Sequence, residues 1–107
     1  MKLTVKDRIV MAGLYPKESN IISQVMIRDI DQKARMTQED IEKFGIMNDN
    51  GLIKWNGKAK DIEVEFSQAE IKFLQEQVER LDRENKINQD ILDLCLKIKD
   101  DVKKEAK

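Results

Sequence analysis

The sequence predicts an α+β chain, mostly helical, in which three helices lead into a β-hairpin and two helices follow it. Three observations predict this. Met36-Thr37-Gln38-Glu39-Asp40-Ile41 and Phe66-Ser67-Gln68-Ala69-Glu70-Ile71 each set a hydroxyl three residues before an acid, the reciprocal cap that starts a helix, with apolar neighbours placed to staple it. Between them, Ile62-Glu63-Val64-Glu65-Phe66 alternates strictly, as a strand with one buried face does. After Ser67 the chain holds neither Gly nor Pro. The 107 residues read as a single domain, with 1–66 supplying helices plus hairpin and 67–107 a C-terminal helical region.

The first helix is expected from Thr4, where Thr4-Val5-Lys6-Asp7 offers a third box, to about Leu14, with Val5, Ile9, Ala12 and Leu14 inward. Pro16 disfavours helical geometry at Tyr15 and ends it. Ser19 or Asn20 then caps a second helix, Ile21 to about Ala34. Ile22, Val25, Met26, Ile30 and Ala34 follow its period, and Ile21 and Ile27 widen the apolar girth, so it reads as the central helix. A short third helix, Gln38 to Phe44, meets Gly45 where a left-handed cap belongs.

Asn50-Gly51 and Asn56-Gly57 are both type I′ turn dipeptides and bracket Leu52-Ile53-Lys54-Trp55. That segment is expected to pair with Ile62–Phe66, which would lay Trp55 over the core near Val64 or Ile62. Ile46–Asn48 is available as a third, short strand. The order of three helices and a wing-like hairpin resembles a winged helix-turn-helix unit.

Ile71, Leu74, Val78 and Leu81 form one helical stripe; Ile91, Leu94 or Cys95, Ile98 and Val102 form another. Between them, residues 82–90 are polar except for Ile87. Either one helix of nearly forty residues runs through, or Asn85 and Asn88 act as C-cap and N-cap of a helical hairpin, the reading that turn chemistry prefers. The residues from Lys103 lack a large apolar anchor and are expected to fray.

Composition narrows the function more than any motif does. Histidine is absent and Cys95 is the lone cysteine, which removes Ser-His and Cys-His catalysis, structural zinc and any internal disulfide framework. No cofactor or metal is expected. Asn48-Asp49-Asn50-Gly51 superficially suggests a calcium loop, but the position that should carry the bidentate glutamate is Ala59. The net charge of −1 creates no general pull toward DNA or anionic lipid. No apolar run is long enough to span a bilayer, and the first residues lack a signal-peptide apolar region, so a cytoplasmic location is expected.

Charge is nonetheless divided along the chain. Residues 1–36 hold seven basic and four acidic side chains, and residues 37–66 hold four basic and seven acidic. The basic part reads either as a solvated helix face or as a self-association patch facing the acidic middle of another copy. The would-be recognition helix carries Glu39, Asp40 and Glu42 against Lys43, which opposes approach to phosphate. DNA binding through Lys54, Lys58, Lys60 and the basic first helices is therefore the alternative reading. The leading one is a non-enzymatic protein that binds other protein, itself included, through Leu74, Val78, Leu81, Ile91, Leu92, Ile98 and Val102 of the C-terminal helices.

Asp7-Arg8-Ile9-Val10 through Leu14-Tyr15-Pro16-Lys17-Glu18, then Ile27-Arg28-Asp29-Ile30, then Ile62 through Glu70 and Leu81-Asp82 together carry a resemblance. Across residues 5 to 100 the chain resembles small proteins of tailed bacteriophages and prophages. That group has no established activity, so the resemblance implies a bacterial or mobile-element setting and assigns no functional residue.

Overall fold

The computed structural model describes residues 1–57 and 60–101. Strand β1 (Lys2–Leu3) opens the chain, and the Thr4 box starts α1 (Val5–Val10) directly behind it. Thr4 Oγ1 accepts the Asp7 N–H and Asp7 Oδ2 accepts the Thr4 N–H, both at 3.0 Å. The expected helix tightens after Val10 into a 3-10 turn, Met11–Leu14, and stops where Pro16 holds Tyr15 extended at ψ 135°. Met11 and Leu14 join the core, Val5 is also buried, Ile9 is half-buried and Ala12 is exposed.

Asn20 caps α2 (Ile21–Ala34) by accepting the Ser23 N–H at 2.8 Å. Its inner face is shorter than the sequence stripe suggests. Ile30 and Ala34 are buried and Met26 rests on the core, but Ile22 and Val25 are exposed, contrary to expectation. The second half of α2 meets the helix that begins at Gln68, where Lys33 pairs with Glu70, whereas its first turns leave Ile21, Ile22 and Val25 exposed.

Helix α3 (Gln38–Lys43) starts at the Thr37 box and ends as expected at Gly45, whose φ is +61°. Ile46 N–H returns to the Ile41 carbonyl at 3.0 Å and Gly45 N–H to Glu42 at 3.3 Å, the paired bonds of a Schellman end.

Strand pairing departs from expectation. β2 (Met47–Asp49) and β3 (Leu52–Lys54) form the hairpin through Asn50-Gly51, both at positive φ, in the register Met47↔Lys54, Asn48↔Ile53, Asp49↔Leu52. The segment around Leu52–Trp55 does not pair with Ile62–Phe66. Instead β4 (Ile62–Glu63) runs antiparallel to β1, Lys2 opposite Glu63 and Leu3 opposite Ile62. The physical reason is loop length: a two-residue I′ turn aligns neighbouring segments at little entropic cost, and the N-terminal strand is free to cover β4.

Asn56-Gly57 is not a second I′ turn, because the positive φ that turn requires at Asn56 is absent. Asn56 N–H instead donates to the Phe44 carbonyl at 2.8 Å, tying the hairpin's exit to the end of α3.

Val64 and Phe66 carry the buried side of the strand-like segment into α4 (Gln68–Arg83), which is capped by the Ser67 box. The break that follows is a helical hairpin. Asn85, at φ +57°, closes α4 with Lys86 N–H on the Leu81 carbonyl at 2.8 Å, and Asn88 caps α5 (Gln89–Asp100) through the Ile91 N–H. One core joins both parts of the chain, with Leu3, Met11, Leu14, Ile30, Leu74, Leu94 and Ile98 fully buried. Residues 103–107, expected to fray, lie outside the described residues.

Candidate interaction surfaces

Each of the three hydroxyl-acid boxes supplies one carboxylate to a neighbouring helix, and these bridges set which faces stay free. Asp7 of α1 accepts Lys97 of α5, Asp40 of α3 accepts Arg8 of α1 at 2.9 Å, and Glu70 of α4 accepts Lys33 of α2 at 2.5 Å. Burial alone would raise the Asp40 and Glu70 carboxyls. Hydrogen bonds from Arg8 and Lys33, joined by those from Thr37 and Ser67, outweigh it and hold both below the ordinary carboxylate range.

With the helices locked in this arrangement, the predicted interaction stripe of the C-terminal helices is largely consumed inside the chain. Leu74, Val78, Leu81, Ile91 and Ile98 are all buried in its own core. Leu92 is half-buried, and Val102 lies outside the described residues. Leu92 and the exposed Leu96 line a groove of about 360 Å³ with Val78, Ile87 and Cys95. The Cys95 thiol is pushed up by burial and by the nearby Asp82.

Lys54, of the alternative nucleic-acid set, pairs with Asp49 across the hairpin at 3.3 Å. Lys60 is exposed, and Lys58 lies outside the described residues. On α3 both Glu39 and Glu42 face solvent. Among the described residues no group of three His, Cys, Asp or Glu side chains is placed to hold a metal ion, and no helix is long and apolar enough to cross a membrane.

Apart from Leu96, the exposed large apolar side chains among the described residues lie elsewhere, in two groups. One is the start of α2, where Ile21 is 83% and Ile22 78% exposed, with Val25 one turn on. The other is the hairpin, whose Met47, Leu52, Ile53 and Trp55 are all exposed. Trp55 does not lie over Val64 or Ile62, because its strand pairs elsewhere. It faces a cleft of about 260 Å³ against α1, walled by Ile9, Val10, Leu52 and Ile53, with Lys6, Gly51 and Asp90 also in the lining.

Ile22, Val25 and Trp55, expected inside, are thus all exposed. The available signal was the girth of α2: Ile21 and Ile22 are adjacent and cannot both face one neighbour. No family model, curated protein or solved structure matches this chain.

Proposed function

We propose that this chain works by binding protein, itself included, rather than by catalysis. The carrying observation is the grouped exposure of Ile21, Ile22 and Val25 on one helix and of Met47, Leu52, Ile53 and Trp55 on one hairpin. Single exposed apolar residues are ordinary, but clusters beside a closed core mark interaction surfaces. The composition supports the same reading, since a chain without histidine lacks the usual general base at neutral pH. Such an assembly role in the cytoplasm of a bacterial or phage-infected cell also agrees with the resemblance noted in the sequence.

Light scattering across a concentration series tests it. Association gives a mass that rises above the 12.5 kDa of one chain as concentration increases. A constant single-chain mass removes the self-binding reading. The DNA alternative draws on the element order, and its test is retention on heparin at low salt with release as salt rises; flow-through at low salt removes it.

A further inference from the structure

We infer that the first turns of α2 in one copy dock into the cleft between the hairpin and α1 of a second copy, so that the chain associates head to tail. This rests on the self-binding reading above and names the two faces. The cleft, at about 260 Å³, lies below the roughly 300–1,000 Å³ of typical small-molecule sites. Its walls are mainly the aliphatic and aromatic side chains of Ile9, Val10, Leu52, Ile53 and Trp55, suited to one or two apolar knobs. Ile21 and Ile22 are the most exposed large apolar side chains among the described residues.

Charge complementarity selects this occupant. The cleft lining carries one cation, Lys6, and one anion, Asp90. The turn before α2 carries one of each, Lys17 and Glu18, and none of these four makes an ion pair with another described residue. Lys17 of one copy meets Asp90 of the next, and Glu18 meets Lys6. The first turn of α2 contains no acidic residue, so Asp90 also faces the positive end of that helix's dipole. Because knob and cleft are different faces, the contact is heterologous and builds a ring or an open row.

The test is complementation by mixing full-length variants. Ile22→Glu destroys the knob and keeps the cleft, while Leu52→Glu destroys the cleft and keeps the knob; both positions are well exposed. A second cleft variant, Trp55→Arg, serves if Leu52→Glu does not fold as judged by circular dichroism. Each variant alone is expected at the mass of one chain, while wild type is larger. Their equimolar mixture is expected at twice the 12.5 kDa single-chain mass, a pair that cannot extend. A variant that still associates alone shows a like-face interface and overturns the proposal. A mixture that stays single-chain while wild type associates overturns these faces but leaves self-binding standing; a single-chain wild type overturns both.

Discussion

Arg8 Nη2 meets Asp40 Oδ2 at 2.9 Å, and the same guanidinium holds the carbonyls of Ala34 at 3.0 Å and Arg35 at 2.9 Å. One α1 side chain thus joins the end of α2 to the start of α3. It satisfies two carbonyls that the α2 terminus would otherwise leave bare, and it does so on the carboxylate that already caps α3 through the Thr37 N–H. The arrangement recurs at the other two boxes, where Asp7 and Glu70 each hold a backbone N–H and a lysine from a distant helix.

Replacing Arg8 therefore damages three acceptors at once. Its side chain is only 4% exposed, and breaking a buried charged network costs about 3–5 kcal/mol. Arg8 Nη1 has no partner among the described residues, which offsets part of that value. Arg8→Ala is expected to lower unfolding stability by about 2–4 kcal/mol, read from the urea midpoint. Arg8→Lys is expected to recover less than half, since a single ammonium cannot serve three acceptors spread across two helix ends.

Stability is expected to fall in acid because of the same carboxylates. Asp40 and Glu70 sit below the ordinary range when folded, so the unfolded chain binds protons first as pH drops. Their contribution is complete above the unfolded values near pH 4 and is lost as pH falls through the lower folded ones. Thermal melts from pH 7 to pH 3 measure this. Glu70→Gln is expected to melt lower at pH 7 and to show a shallower decline between pH 5 and pH 3.

The caps and bridges differ in how far the sequence discloses them. Thr4, Thr37, Ser67 and Asn88 were readable as helix starts and Gly45 and Asn85 as helix ends, because a cap is a local bond between residues three to five apart. That Asp40 would also take Arg8 was not readable, since a bridge across 32 positions depends on packing. Strand pairing failed for a related reason. β1 and β4 have two residues each and β2 and β3 three, too short for alternation to select a partner, so the turn and the free N-terminal segment decided it. The candidate stripe on α4 and α5 had the right periodicity, but periodicity reports burial and is silent on whether the neighbour is the same chain.

Helix α2 provides a direct comparison between its two halves. Ile30→Ala removes a fully buried side chain from the core and is expected to cost about 2–5 kcal/mol. Ile22→Ala removes a side chain that is exposed in the single chain and, at a dilution where the protein is monomeric, is expected to stay within about 0.5 kcal/mol. Urea titrations of the two variants at that dilution decide this, and a large loss at Ile22 there would mean that its side chain is covered within its own chain.

The hairpin's geometry rests on two glycines whose replacement should have unequal effects. Gly51 has φ +86° and open space around an added Cβ, so Gly51→Ala meets only the left-handed backbone penalty of about 1–2 kcal/mol. Gly45 has φ +61°, and its Cβ would stand 3.0 Å from Asn56 Nδ2, whose amide donates to the Lys43 carbonyl at 3.3 Å. Gly45→Ala therefore incurs the backbone penalty and also pushes the Asn56 amide off the end of α3. It is expected to cost about 1 kcal/mol more than Gly51→Ala. Gly51→Asn is expected to be milder than Gly51→Ala, because asparagine enters the left-handed region readily, as Asn50 and Asn85 do here. Chemical unfolding ranks the three. Amide chemical shifts should localise the Gly51→Ala change to the hairpin and extend the Gly45→Ala change into α3. Equal losses for the two alanine variants would show that the Asn56 side-chain amide adds nothing to the backbone bond from Asn56 to Phe44.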